Sequence, residues 1–348
     1  MRAEADKGAG VRGGVSDAAI DVLFVVTPQV LLLDLAGPAE AFRIANQRLV
    51  RDGKSPRFVL RFGGAAPTQR SSVGVTLAGL EALPDTLPNP TWVVLLGQPS
   101  EQRRRTDPAT QACADWLRRS GAPLLAQPQH RLVTVCAGTL LAARAGLVGT
   151  RRCTTHHELL DELRRLAPAA QVVDNRVFVV DGSLASSAGI TAGIDLALHL
   201  IGRECGEAVA ASVASNMVVY LRRSAQDPEL SPLLAHRQHL HPALHRVQEA
   251  VCADPARDWA VPAMAAVGHV TERHLARLFA AHAGISPLAW LRSIRLERAR
   301  LALAHGASVT RAAEQAGFSS DLQLRRAWSG RLVGTPRDAA VPADRGDH

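Results

Sequence analysis

Residues 264–279 read MAAVGHVTERHLARLF, and residues 312–328 read AAEQAGFSSDLQLRRAW. The two stretches repeat one pattern at an offset of 49 residues, which pairs Leu275 with Leu324 and Arg277 with Arg326. Each contains a short helical segment, a turn with glycine, and a second helical segment, which is typical of a helix-turn-helix motif. A duplicated motif of this kind indicates a repetitive partner, and double-stranded DNA is the first candidate.

The second helix of each copy has one apolar face and one polar face. Thr271 and Ser319 suit the N-cap positions of the two helices. The apolar faces consist of Leu275, Leu278 and Phe279 in the first copy and Leu324 and Trp328 in the second. Burial of those faces leaves the polar side chains outward, where a recognition helix contacts bases and phosphates. The predicted DNA-binding residues are Thr271, Glu272, Arg273, His274 and Arg277, and Ser319, Ser320, Asp321, Gln323, Arg325 and Arg326.

A long helix is predicted between the two copies, over Pro287–Leu303. Its apolar stripe is expected to consist of Leu288, Leu291, Ile294 and Leu301. At about 1.5 Å per residue it would hold the two copies about 25–30 Å apart. One turn of B-DNA is about 34 Å, so two successive major grooves are within reach.

Charge supports the same interpretation. The chain of 348 residues has a formal net charge of +8, and only Lys7 and Lys54 are lysines. A preference for arginine also follows from genome composition, so position matters more. Residues 259–337 hold 11 arginines and 4 acidic residues, a surplus that suits a DNA surface. The alternative is a helical bundle whose outer faces happen to be basic.

Residues 245–337 resemble the AraC-type DNA-binding domain. The residues that carry the resemblance are Thr271, Arg273-His274-Leu275, Arg277, Phe279, Gly284, Ser286-Pro287, Arg295-Leu296, Ala299, Gly317-Phe318, Ser320, Arg326 and Thr335-Pro336. The chain departs from the family pattern at His269, where a turn glycine is usual, and at Leu324, where an aromatic residue is usual. Gly330 also falls late in the second recognition helix. We therefore expect the first copy to carry more of the specificity.

The first two-thirds of the chain alternates apolar strand patterns with helical patterns. This alternation predicts an α/β domain with a doubly wound, mostly parallel, flavodoxin-like sheet, followed by an all-α domain with two helix-turn-helix motifs. The predicted strands are Asp21–Thr27, Arg57–Phe62, Val73–Leu77, Trp92–Leu96, Arg131–Val135, Gln171–Val180 and Leu184–Ala188. The predicted helices of this part are Ala39–Val50, Thr110–Ser120, a helix that runs from Cys136 through Ala145, and Gly193–Cys205.

A cysteine follows the strand Arg131–Val135 and precedes a helix, which is the pattern of a nucleophile elbow. A helix N-terminus lowers the pKa of such a cysteine and favours the thiolate. The elbow Cys136-Ala137-Gly138 and the later runs 145–156 and 180–195 resemble the PfpI-like branch of the class I glutamine amidotransferase-like superfamily. The order of all these motifs is similar to that of GlxA-type regulators, which fuse this domain to an AraC-type domain.

The resemblance implies an effector pocket formed by Asp34, Cys136, Ala137, Gly138 and His156. Proteolytic relatives have a histidine directly after the cysteine, where this chain has Ala137, and hydratase-like relatives pair the cysteine with an aspartate of the first loop, where this chain has Asp34. Three interpretations stay open. They are a small-molecule sensor, a vestigial pocket, and a cysteine-dependent hydratase or amidohydrolase-like enzyme in which Cys136 and Asp34 would be catalytic. We expect a sensor or a vestigial pocket rather than turnover.

The remaining features complete the expected layout. A tail (1–19) precedes the effector and dimerisation domain (20–205), a linker (206–245), the DNA-binding domain (246–337) and a second tail (338–348). His236, His239, His241 and His245 cluster in the linker, where a solvated hinge is favoured over a zinc site. Five scattered cysteines indicate a reducing cytosol and argue against a zinc site, and the interrupted apolar run Val22–Leu35 is too short for a membrane span. We expect a cytoplasmic protein that forms a homodimer through its α/β domain and uses no metal or cofactor. Besides DNA, the expected partners are a small-molecule effector and RNA polymerase.

Overall fold

The structure is a computed structural model that describes residues 19–104, 107–219, 223, 225, 236, 239, 241–329, 332, 335–337 and 339. It divides into two compact units, Met1–Asp227 and Pro228–His348. The two tails predicted at 1–19 and 338–348 lie outside the described residues, apart from positions 19 and 339. Each unit is described by itself.

The first unit is built on a central sheet of seven strands. The strands of this unit are β1 (Ile20–Val25), β2 (Phe58–Gly64), β3 (Thr68–Arg70), β4 (Thr76–Ala78), β5 (Glu81–Ala82), β6 (Thr91–Leu95), β7 (Arg131–Val135), β8 (Arg152–Cys153), β9 (Gln171–Val172), β10 (Phe178–Asp181) and β11 (Leu184–Ser187). The central sheet has the order β10-β11-β7-β6-β1-β2-β5, and only the β10–β11 pair is antiparallel. The predicted doubly wound, mostly parallel sheet is therefore confirmed.

Helices cover both faces of this sheet. They are α1 (Leu32–Arg51), α2 (Ser100–Arg104), α3 (Pro108–Ala126), α4 (Gly138–Arg144), a 3-10 turn (His157–Leu159), α5 (Leu160–Leu166), α6 (Ala192–Cys205) and α7 (Glu207–Asn216). Residues 22–25 of β1 are continuously apolar because the strand is buried on both faces. Val22 and Phe24 enter the core under α1 and α6, while Leu23 and Val25 enter the core under α3 and α4.

The structure corrects two expectations for this unit. Helix α1 begins at Leu32 and not at Ala39, because Gly37 lets the first turns pack closely on Ile194 of α6. The predicted strand Gln171–Val180 is divided into β9 and β10. Helix α7 occupies Glu207–Asn216 at the start of the predicted linker 206–245, and its apolar face is buried against α1 and α6. The residues of that face are Val209, Ala210, Val213 and Ala214.

The second unit is helical, as predicted. Its helices are α8 (Pro242–Ala253), α9 (Val261–Gly268), α10 (Glu272–Ala283), α11 (Pro287–Ala304), α12 (Val309–Gln315) and α13 (Asp321–Ser329). Helices α9–α10 and α12–α13 form the two predicted helix-turn-helix motifs, which we call the first and second heads.

Helix α11 joins the cores of the two heads. Its N-terminal half contributes Trp290, Leu291 and Ile294 to the first core, and its C-terminal half contributes Leu296, Ala299 and Leu303 to the second. The predicted single stripe is wrong at Leu288, which is 47% exposed. The two cores meet α11 on different faces, so the buried positions do not follow one stripe.

A glycine in the turn of the second head allows a close backbone approach. Gly317 has φ +78°, and a Cβ there would lie 2.7 Å from Ala256 Cα and 2.9 Å from Ala256 O. We expect Gly317→Ala to destabilise the second unit by about 2–4 kcal/mol, because strain at positive φ adds to a backbone clash. Gly306→Ala is the matched control, with φ +84° and open space around the new Cβ, and should cost only about 1 kcal/mol. Equal losses in urea unfolding of the two variants would contradict this packing.

Candidate nucleic-acid interface and effector site

The first head presents a capped helix after a tight turn. Thr271 Oγ1 accepts a hydrogen bond from His274 N at 3.3 Å, which confirms the predicted N-cap of α10. His269 ends α9 with φ 54°, in the left-handed region. That conformation favours glycine, which explains physically why a turn glycine is usual at this position.

The two faces of α10 divide as the sequence predicts. Leu275 and Phe279 are fully buried. Glu272, Arg273 and Arg277 are exposed, and His274 is half-buried. Arg277 Nη2 lies 2.9 Å from His274 Nδ1, so the imidazole holds one guanidinium on the exposed face. The first head therefore displays two arginines on a helix whose opposite face is fixed in a core.

The second head differs from the prediction at its cap. Ser320, and not Ser319, caps α13, since Ser320 Oγ accepts from Gln323 N at 3.2 Å. Ser319 N instead donates to Gln323 Oε1 at 2.8 Å. The repeat offset of 49 residues pairs Ser320 with Thr271 and is the signal that identifies this cap from sequence. The buried positions Leu324 and Trp328 are confirmed.

The polar residues of α13 are not equally available. Asp321 Oδ2 accepts a hydrogen bond from Thr310 Oγ1 at 3.1 Å, and Gln323 Oε1 accepts one from Ser319 N. Arg325 and Arg326 are exposed. Among the predicted contacts of this head, Arg325 and Arg326 thus present the most accessible groups to a ligand.

A cleft of about 370 Å³ beside α13 contains an arginine that the sequence analysis did not assign. Arg292 is exposed on α11 and lines this cleft together with Arg326. Arg295 also lines it, but its guanidinium donates to Pro255 O at 2.9 Å and to Arg257 O at 2.8 Å. Burial lowers the pKa of Arg295. Arg295 therefore serves the fold, whereas Arg292 adds a cation to the surface next to the second head.

In the first unit, Asp34 and Cys136 meet at Gly97. A Cβ on Gly97 would lie 2.5 Å from Asp34 Oδ2 and 3.1 Å from Cys136 Cβ, so only glycine fits between them. Gly97 N also donates to Asp34 Oδ2 at 3.0 Å. The resemblance to hydratase-like relatives implied that Asp34 lies in a loop. In the structure it lies in the first turn of α1.

The predicted elbow is present at the end of β7. Cys136 has φ 53°, a strained value for a residue with a side chain, and its carbonyl accepts from Thr155 Oγ1 at 2.8 Å. Ala137 precedes α4 and is buried. A Cβ on Gly138 would lie 2.3 Å from Leu95 O, so this glycine lets α4 begin directly against β6.

Asp34 has an unusual electrostatic environment. Its side chain is fully buried, and desolvation raises its pKa to about 7 against the lowering effect of the Gly97 hydrogen bond. Its Oδ1 atom has no hydrogen-bond partner among the described residues. A buried acceptor without a partner is costly, and such atoms mark strained or ligand-binding sites.

His156 caps the 3-10 turn His157–Leu159, which follows the elbow region. Its Nδ1 accepts from Glu158 N at 3.4 Å as the cap of the 3-10 turn, and its ring packs on His157 with the centroids 4.2 Å apart. The hydrogen bond to the elbow carbonyl comes from Thr155, which the sequence analysis did not assign.

The histidines before α8 do not form a solvated hinge. His236 Nδ1 lies 2.8 Å from Ala283 O, and His239 Nε2 lies 3.1 Å from Gln248 Oε1. They attach the segment before α8 to α8 and to the end of α10. In the described part of the chain, no group of three or more His, Cys, Asp or Glu side chains could hold a metal ion. None of the described helices is long and apolar enough to span a membrane.

Comparisons with known proteins agree with both units. Residues 112–203 match the model of the DJ-1/PfpI family, and residues 264–339 match the model of a helix-turn-helix domain. The chain is 30% identical over 238 residues to the HTH-type transcriptional regulator CdhR of Pseudomonas aeruginosa, covering 67% of this chain and 68% of CdhR. It is 28% identical over 318 residues to the HTH-type transcriptional regulator GlxA of Rhizobium meliloti, covering 90% of this chain and 93% of GlxA.

One further match covers a shorter stretch of the chain. The chain is 49% identical over 76 residues to an isonitrile hydratase of Pseudomonas putida, which covers 21% of this chain and 31% of that enzyme.

A parallel α/β unit with a cysteine elbow, followed by two helix-turn-helix heads, defines a DNA-binding transcriptional regulator with a DJ-1/PfpI domain and an AraC-type reader. The chain belongs to the family of HTH-type transcriptional regulators that includes GlxA and CdhR.

Proposed function

We propose that α10 and α13 are the recognition helices and enter two successive major grooves of double-stranded DNA. The observation that carries this proposal is the joining of both heads by α11, whose 18 residues span about 27 Å. Each head buries an apolar face in its own core and leaves arginines exposed. Two grooves about one helical turn apart match this spacing.

The proposal is tested by selection of binding sites from a random DNA library with the full-length chain. We expect a two-part site whose halves lie about 10–10.5 base pairs apart, and an affinity that falls steeply with salt concentration. Failure to enrich any sequence would contradict the assignment of the two helices.

We further propose that Asp34 and Cys136 form part of an effector site in the first unit. The unpartnered Asp34 Oδ1 supports a ligand that offers an N–H donor, as amides and amines do. The strained backbone at Cys136 supports the same site, since strain of this kind concentrates at functional positions. Ala137 in place of a histidine favours binding without turnover, because a cysteine nucleophile needs an adjacent base.

Turnover is the alternative that the hydratase match favours. Incubation of the full-length protein with a panel of amides, amines and isonitriles separates the two functions. Under the sensor proposal, one class raises the melting temperature of the wild type and changes its DNA affinity, and Cys136→Ala reduces both effects. Under the enzyme alternative, the compound is consumed by the wild type and not by Cys136→Ala.

Helix α6 contacts both the effector site and Arg223. Gly193 packs on Val135 and Pro38, next to the elbow and to the first turns of α1. Two residues on, Asp195 receives three hydrogen bonds from Arg223, at 2.7–2.9 Å, from the backbone N–H, Nε and Nη2. Arg223 lies in the segment that continues to the second unit. A ligand that moves α6 would therefore also act on Arg223.

We also propose a cytoplasmic homodimer, with RNA polymerase as a partner at the promoter. Membership in a family of transcriptional regulators supports these assignments. All five cysteines are in the reduced form, which suits a reducing compartment. Two copies of the chain would bring four heads to one operator, and the added binding energy would favour long, specific sites.

A further inference from the structure

The first turn of α13 carries an exposed leucine where α10 carries an arginine. By the repeat offset of 49 residues, Leu322 of the second head is equivalent in position to Arg273 of the first head. Leu322 is 57% exposed, whereas Leu324 is completely buried in the core of the second head. Leu322 therefore plays no part in the packing that fixes the helix.

The polar neighbours of Leu322 are used within the protein. Ser320 caps the helix, Gln323 Oε1 accepts from Ser319 N, and Asp321 accepts from Thr310 Oγ1. These bonds hold the polar groups of the first turn against the protein's own backbone and side chains. The N-terminal end of α13 consequently offers an apolar group to whatever it meets.

Residues at the N-terminal end of a recognition helix contact base edges in the major groove. The one apolar group that the four bases present there is the C5-methyl of thymine. Arginine, in contrast, pairs with the O6 and N7 atoms of guanine. The chemistry at the same helix position thus differs between the two heads.

We infer that Leu322 reads a thymine methyl group in the second half of the binding site, where Arg273 reads guanine in the first. This inference rests on the proposed role of α13 as a recognition helix. The two half-sites are then unlike in sequence, although the heads that bind them are repeats. Leu322 belongs to the specificity-determining residues and was not among those predicted from the sequence.

The test uses a DNA site selected by the full-length protein, in which each thymine is replaced in turn by deoxyuracil. This change removes only the methyl group and keeps base pairing. For the wild type, we expect one position in the second half-site to bind about fourfold more weakly after replacement, the effect of one buried methyl-sized group. Leu322→Ala should bind thymine and uracil equally at that position and keep the wild-type response at all others. Leu166→Ala, which truncates an exposed leucine of the first unit, is the matched control and should behave as the wild type.

A second variant makes the test independent of a loss of affinity. Leu322→Arg should change the preferred base at that one position from thymine to guanine, as judged from the ratio of affinities for the two probes. Full binding by the wild type with no response to any uracil replacement overturns the inference and leaves the proposed function standing. An unchanged base preference in Leu322→Arg also overturns it. Absence of any selected site contradicts the proposed function itself.

Discussion

The Asp34→Asn variant should be more stable than the wild type above neutral pH and equally stable near pH 4. In the folded chain the pKa of Asp34 is raised to about 7 from 3.8, because burial disfavours the charged form. A raised pKa means that the folded state holds the proton more tightly than the unfolded state does. The stability that this carboxyl contributes is complete below pH 3.8 and is lost as the pH rises through 7.

The size of this effect follows from the shift. A change of one pKa unit corresponds to about 1.36 kcal/mol, so about 4 kcal/mol of stability should be lost between pH 4 and pH 8. Asparagine is neutral throughout this range, and its Oδ1 can still accept from Gly97 N. The unfolding free energy of Asp34→Asn should therefore lack this part of the pH dependence.

The measurement must report on the first unit separately, because a chain of two units need not unfold in one step. Hydrogen exchange of peptides from β1 and α1, followed from pH 5 to pH 8 and corrected for intrinsic rates, gives the local opening free energy. Glu40→Gln removes an exposed carboxylate from the same helix and serves as the control. Parallel curves for the wild type and Asp34→Asn would show that the carboxyl is not desolvated as the structure indicates.

The same titration bears on the proposed effector site. At pH 7 a carboxyl with a pKa of about 7 is present in both protonation states. The ionised form accepts hydrogen bonds and attracts an ammonium group, whereas the protonated form donates one hydrogen bond and accepts others. The site could therefore bind amines and amides with opposite dependence on pH. A ligand assay over pH 6–8 would distinguish the two chemistries.

Patterns that depend on local sequence predicted much of this molecule. The apolar runs predicted the parallel strands, since a strand buried on both faces has a nearly continuous apolar sequence. The repeat gave both heads and their buried leucines. The elbow at Cys136 followed from a strand, a cysteine and a glycine in direct succession.

Features that depend on packing between distant residues could not be predicted. The early start of α1 depends on Gly37 meeting Ile194 of α6. The burial of Asp34 against Gly97 is likewise a long-range contact. At the start of α13 the sequence offers two adjacent serines as N-cap residues. Only the structure shows that Ser320 is the cap, because its Oγ accepts the hydrogen bond from Gln323 N.

The Arg277→Ala variant should lose more specific DNA affinity than Arg326→Ala, although the repeat offset makes the two arginines equivalent. Loss of an arginine that contacts a guanine or a phosphate costs about 1–3 kcal/mol, or about 5–150-fold in affinity. Arg277 is positioned by His274 at 2.9 Å, so little side-chain freedom is lost on binding. Arg326 shares its cleft with the exposed Arg292, which can supply a replacement cation. We expect Arg277→Ala near the upper end of that range and Arg326→Ala near the lower end.

The controls separate position from charge. Arg165→Ala removes an exposed arginine from α5 of the first unit and changes the net charge equally. It should leave affinity within about twofold, because the proposed DNA contacts all belong to the second unit and salt screens the remaining effect of net charge. His274→Ala should reproduce part of the Arg277→Ala loss, because it removes the group that orients the guanidinium. Fluorescence anisotropy on the selected site and on a scrambled site, at several salt concentrations, gives the specificity ratio of each variant. Equal specificity ratios for Arg277→Ala and Arg326→Ala would show that the two heads share recognition equally, contrary to the unequal first turns of α10 and α13.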